Sequence, residues 1–162
     1  MKKRALASIA KYLLLSLVVA SMVLTLEAAD SAVTKPMVGH WEGSGRIVVA
    51  WCSQQRLAVG IDIHPDGSVT GKIGDATLRK GRFTRNRGWL GRKLNLATDY
   101  IITGDLAGPI VAAEGITRAS VKMPLDFADG HFDAGVNTSG SMFGGKKTMV
   151  FTAFFVKLTR VD

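Results

Sequence analysis

The stretch RLAVGIDIHPDGSVTGKI, residues 56–73, alternates apolar and polar side chains on both sides of a Pro-Asp-Gly turn. Leu57, Val59, Ile61 and Ile63 fall on one face of an extended chain, and Ala58, Gly60, Asp62 and His64 on the other. Pro65 is pre-set for the first central position of a type I turn, and Gly67 takes the left-handed position that follows it. A three-residue loop opposes Ile63 to Val69 and Val59 to Ile73, so apolar meets apolar. A two-residue Asp66-Gly67 loop opposes Ile63 to Thr70 and mixes the faces, so the hydrophobic pattern selects the longer loop.

The same alternation recurs in VKMPLDFADGHFDAGV, residues 121–136, around an Asp129-Gly130 turn. That turn pairs Phe127 with Phe132, Leu125 with Ala134 and Met123 with Val136, and sets Asp126 opposite Asp133. Pro124 argues for an edge or a bulge there. Further strands are expected at about 42–51, 76–84, 92–98, 100–106, 110–117 and 148–160. Phe154-Phe155-Val156 in the last of these is apolar on both faces, as in a strand buried on both sides. No stretch of the mature chain keeps an apolar period of 3.6. About eight short strands with frequent turn signals predict an all-β domain, a single antiparallel up-and-down β-barrel, with a β-sandwich as the alternative. The barrel is preferred because closure removes sheet edges that no helix is available to cover.

Ahead of this domain, Met1-Lys2-Lys3-Arg4 is a short basic start, and an apolar run follows, dense from Leu13 to Leu26. Leu26-Glu27-Ala28 then offers small residues for a peptidase. This order is that of a signal peptide over residues 1–28, with a short linker at 29–36 and the barrel over 37–162. The uncharged run Tyr12–Leu26 is 15 residues, below the roughly 18–20 of a spanning helix. An uncleaved N-terminal anchor is the alternative. Both readings place the domain outside the cytoplasm, periplasmic or secreted.

Removing residues 1–28 takes four of the 21 basic and one of the 13 acidic residues, leaving a net charge of +5. RKGRFTRNRGWLGRK, residues 79–93, alone carries seven basic residues and no acid. The remainder of the mature chain is therefore net negative, and the positive field is local. Arg82, Arg85, Arg87, Trp89, Arg92 and Lys93 are the candidate binding residues. In this compartment their expected partners are an anionic membrane surface, lipopolysaccharide or an acidic glycan; nucleic acid is not expected.

Candidate chemistry is sparse. His131, Asp133 and Asp126 share one face, without the spacing of a metal site. His40 is expected to be exposed at a strand start, and His64 to cap its turn. Cys52 is the lone cysteine, expected to be buried because Val48 to Trp51 are apolar. No nucleophile elbow, phosphate loop or acid-base pair appears. The expectation is a non-enzymatic binding protein with no catalytic residue, metal or cofactor.

Gly39-His40-Trp41, before the first mature strand, resembles the Gly-X-Trp motif of the calycin barrels, which include lipocalins and fatty-acid-binding proteins. The resemblance implies a barrel whose Trp41 closes one end, with Arg160 packed across it, and an interior that holds a small apolar ligand.

Overall fold

The computed structural model describes residues 33–50, 52–86, 98–142 and 146–162, with 141–142 and 146–151 in backbone only. The expected signal segment 1–28 lies outside the described residues, as does most of the expected strand 92–98.

Ten strands form: β1 (Gly39–Ile47), β2 (Arg56–Ile63), β3 (Ser68–Ile73), β4 (Ala76–Arg85), β5 (Tyr100–Ala107), β6 (Pro109–Val111), β7 (Ile116–Thr117), β8 (Ser120–Ala128), β9 (His131–Met142) and β10 (Lys146–Val161). Eight of them close into an antiparallel barrel in the order β1-β10-β9-β8-β5-β4-β3-β2. The fold is thus all-β and up-and-down, and not a sandwich. The segment expected as one strand at 110–117 is instead the small β6–β7 sheet with a 3-10 turn between its strands. Gly115, at φ 65, ends that turn in a left-handed conformation and breaks the extended run.

Both hairpin registers follow the hydrophobic pattern. Val59 faces Ile73 and Ile63 faces Val69, and His64 N–H donates to Ser68 O at 3.0 Å across the three-residue loop. Phe127 faces Phe132, and Asp126 faces Asp133. Pro124 marks neither edge nor bulge. The register runs unchanged from Lys122↔Asn137 to Leu125↔Ala134, and a closed barrel has no edge to offer it. Its outward ring is half-buried on the barrel wall, so what Pro124 removes is one ladder donor.

Inward residues make a continuous apolar core. Val59, Ile61, Ile63, Ile73, Met123, Leu125 and Phe132 are all buried, as expected. Phe127 is only partly buried against them, and the Phe151 side chain lies outside the described residues. Trp41, 1% exposed, meets Phe132 edge-on with ring centroids 4.7 Å apart and Phe127 at 6.0 Å. Phe83 continues this cluster, 6.0 Å from Phe132 and stacked 5.0 Å from Tyr100. Such offset and edge contacts add to the area that aromatic rings bury. Together these rings fill the barrel end at which β1 begins. The 3-10 turn Lys35–Met37 covers them, with Met37 buried and its carbonyl accepting from Trp41 Nε1 at 3.0 Å.

At the other end the β6–β7 excursion lies against the β3–β4 turn. Asp75 N–H donates to Ile110 O at 3.1 Å, and Ala112 N–H donates to Asp75 Oδ2 at 2.8 Å. Ile110 and Val111 are buried there.

Two expectations are corrected on the β1–β10 side. Strand β1 stops at Ile47 rather than continuing to 51, and Cys52 lies half-buried in the connection to β2. Val48, whose apolar character argued for burial of that segment, is 45% exposed. Phe155 is 90% exposed rather than sandwiched. The β9–β10 register shifts between Ala153 and Val156, and Phe155 takes φ 53, so a bulge turns it outward.

Candidate functional site

Strand β4 carries four cations within ten residues. Its alternation sends Leu78, Gly81 and Phe83 inward and leaves Arg79, Lys80, Arg82 and Arg85 exposed. Two consecutive exposed residues, Arg79 and Lys80, arise because the register with β5 slips between Arg79 and Arg82 and Lys80 adopts φ 52. A non-glycine residue in that region is uncommon. Here it adds one cation to the outer wall that strict alternation would have turned inward.

Neighbouring strands extend the field. One cross-strand row reads Ser68, Arg82, Thr103, Lys122 on β3, β4, β5 and β8. With neighbouring strands about 4.8 Å apart, Arg82 and Lys122 stand roughly 10 Å from one another. Lys72 faces Thr77 in a parallel row, and Arg79 faces Asp105. The acids on these four strands are Asp105 and Asp126. Lys80 Nζ reaches Asp105 Oδ2 at 3.8 Å, an exposed pair of little energetic weight. Asp126 Oδ1 accepts the Asp99 N–H at 2.6 Å, which offsets its repulsion with Asp133. Asp66, in the adjoining turn, is held below the usual carboxylate range by hydrogen bonds from the Ser68 hydroxyl and N–H, with a smaller contribution from Arg82.

Of the residues expected to bind, the structure places Arg82 in the centre of this face and Arg85 at its rim, opposite Tyr100. Arg87, Trp89, Arg92 and Lys93 lie outside the described residues. Asn86 N–H donates to Asp99 O at 2.9 Å, which ties the ends of that segment together. Lys72 and Lys122 were missed because they reach the face only through strand pairing. Trp41 and Arg160 are direct partners across β1–β10. The Arg160 guanidinium lies where a Cβ on Gly39 would touch it, at 3.3 Å, and its Nε is 3.6 Å from Asp162 Oδ1.

The histidines are engaged locally. His64 Nε2 lies 3.2 Å from Thr70 Oγ1, and His131 Nε2 lies 3.1 Å from Asp133 Oδ2. His40 lies at the start of β1 with its side chain 38% exposed, and it sits between two carboxylates, with Nδ1 2.8 Å from Asp62 and Nε2 3.1 Å from Glu42. The hydrogen bond to Glu42, then that to Asp62, raises its pKa above the ordinary imidazole value. Protonated His40 therefore favours the folded state. That contribution is complete below about pH 6.5 and is lost as pH rises through the folded-state pKa. An NMR titration of His40 is expected to show the raised value, and Asp62→Asn to bring it back toward normal.

Glu114 closes the end opposite Trp41. Its carboxylate accepts from Ser53 N–H and Gln54 N–H at 3.0 and 2.9 Å and from the Ser53 hydroxyl. The Ser53 hydrogen bonds hold its pKa low. Cys52 Sγ lies 3.9 Å from it. Burial first, and the adjacent Glu114 charge after it, push the Cys52 thiol up despite an opposing backbone hydrogen bond with Gln54. Ellman's reagent is expected to react slowly with Cys52 at pH 8, and several-fold faster in Glu114→Gln, because the thiolate fraction and the access both rise.

The described residues thus form an eight-stranded up-and-down barrel with a packed aromatic end and a cationic wall. Comparison with protein-family models, with curated proteins and with solved structures returns no match for this chain.

Proposed function

We propose that the chain is an exported, non-enzymatic binding module that works through its outer wall, with an acidic glycan as the partner of the β3–β4–β5–β8 face. The observation that carries this reading is the row of exposed cations, Lys72, Arg79, Lys80, Arg82, Arg85 and Lys122, interleaved with Ser68, Thr70, Thr77 and Thr103. Cations among hydroxyls match a chain of carboxylates or sulfates set among sugar hydroxyls. Among the described residues, the exposed large apolar side chains Val48, Phe154, Phe155 and Val161 belong to β10 and to β1 with its exit, so the described part of this face is poor for entering a bilayer. Trp41, Phe83, Met123, Leu125 and Phe132 are packed inside the barrel, each at most 3% exposed. That packing favours the wall over a small apolar ligand inside the barrel.

Retention on immobilised dextran sulfate, with uncharged dextran as control, tests the reading. The protein is expected to bind at low salt and elute as salt rises. The double variant Arg82→Gln/Lys122→Gln is expected to elute earlier. Passage without retention, or an unchanged elution point in the variant, removes the proposal. Native mass spectrometry of the purified protein tests the interior separately, since a co-purified apolar ligand would favour the barrel cavity.

A further inference from the structure

The wall centred on β10 is four strands from β4 in either direction around the ring, and its chemistry differs. Phe155 projects from the β10 bulge at 90% exposure and φ 53. A bulky side chain in the left-handed region is unfavourable by about 1–2 kcal/mol, and full hydration of the ring adds to that. The fold therefore holds Phe155 outward against both preferences, a combination that points to use. Phe154, 36% exposed, packs beside it with ring centroids 6.2 Å apart, and Val48 is exposed where β1 has just ended.

Next to these rings stand two arginines. Phe154 pairs across to Arg46 on β1, and Arg46 pairs across to Arg56 on β2. Like charges directly opposite on neighbouring strands repel, and neither arginine has an acidic partner among the described residues. Arg56 donates from Nη2 to Ser44 Oγ at 2.6 Å, which fixes its guanidinium without neutralising it. Arg46 and Arg56 line a recess of about 360 Å³, completed by Ile47 and by residues 52–55 of the connection to β2. Lys157 lies one row further along β10, opposite Ser44.

We propose that this corner of the barrel docks on an anionic phospholipid surface, with Phe155 entering the interfacial layer and a lipid phosphate held between Arg46 and Arg56. The pairing of elements carries the choice. Protein interfaces of lasting stability bury roughly 1,200–2,000 Å² in total, far more than three exposed apolar side chains provide. Peripheral attachment to a bilayer instead needs two modest signals together, an inserted apolar group and a cationic patch. Arginine suits the phosphate because its planar fork donates in pairs. The site is independent of the glycan-binding face, and the two can be occupied together because they look in opposite directions.

A local probe tests this in the full chain, where the apolar N-terminal segment is common to every variant. Phe155→Trp places a fluorophore at the bulge, and its emission is read as the difference from the parent protein. Vesicles containing phosphatidylglycerol in phosphatidylcholine are expected to blue-shift this added emission, and brominated acyl chains to quench it. Pure phosphatidylcholine is expected to leave it unchanged. Adding Arg46→Gln and Arg56→Gln is expected to weaken the anionic-vesicle response about thirtyfold, as two surface cations at about 1 kcal/mol each would give. No added shift or quenching with anionic vesicles overturns the insertion of Phe155. An equal response to neutral vesicles, or an undiminished one after the two arginine changes, overturns the phosphate site. Far-UV circular dichroism and thermal melts matching the parent verify that each exposed substitution leaves the barrel folded.

Discussion

Trp41→Ala is expected to lower the free energy of unfolding by about 3–5 kcal/mol, the range for removing a fully buried aromatic side chain. Trp41 is 1% exposed and sits edge-on to Phe132 at 4.7 Å. The substitution removes ring packing and leaves a cavity that β-strands, fixed by ladders on both sides, cannot collapse to fill. It also strips Met37 O of the indole donor, at 3.0 Å, that ties the N-terminal turn to the barrel end. Domains of this size are stable by about 5–15 kcal/mol, so the loss is a large share of the whole. Urea denaturation followed by circular dichroism checks it. Trp41→Phe is expected to cost less, since most of the ring packing survives and only the hydrogen bond is lost. A loss under 1 kcal/mol for Trp41→Ala would show that this end of the barrel is not the packed plug described above.

Gly71→Ala is expected to destabilise the fold by about 3–5 kcal/mol, combining left-side backbone strain with overpacking. Gly71 has φ 133 and faces Ile61 across β2–β3. A Cβ there would run into the Gly60 carbonyl and sit 2.7 Å from Ile61 Cα. Both obstacles are backbone in a neighbouring strand, so no side-chain rotation relieves them. The melting temperature is expected to fall by about 10–20 °C. Gly130→Ala serves as a control. It has φ 74 but nothing within 4 Å of the added methyl, so strain acts alone and the fall is expected to be smaller.

Local pattern carried much of the fold. The apolar alternation of residues 57–63 and 69–73 chose a three-residue loop over a two-residue one, and Gly67 at φ 78 sits in the turn that this loop requires. The Asp129-Gly130 turn likewise set the pairing of Phe127 with Phe132. Irregular strands were not legible, because a bulge answers to what lies across the ladder. Phe154-Phe155-Val156 reads as three buried residues, yet the register of β10 shifts against β9 between Ala153 and Val156 and against β1 between Ser44 and Arg46, and the bulge turns Phe155 outward. Leu78-Arg79-Lys80-Gly81 held a clue of this kind, since two polar residues between inward positions break strict alternation. The cationic wall was legible only as far as one strand reached. Arg82 and Arg85 were found in the run of charge, whereas Lys122 joins them from a strand forty residues later through Thr103. The Arg46–Arg56 pair and its recess left no trace in sequence, because ten residues and a whole chain reversal separate the two.

The ring of eight strands contains one pair, β1 with β10, that no direct connection joins. Every other neighbouring pair forms from segments adjacent in the barrel's chain order, so zipping can proceed from the tight turns. The last pair must bring His40 to Val161, across nearly the whole domain, before any contact rewards the loss of chain freedom. Folding should therefore be slow for a small domain, in the millisecond-to-second range of non-local β topologies. The closing of this seam is expected to come late. Trp41 and the Phe155 bulge both sit on that seam, so the residues that plug the barrel and the residue that projects from it also govern how fast the cylinder shuts.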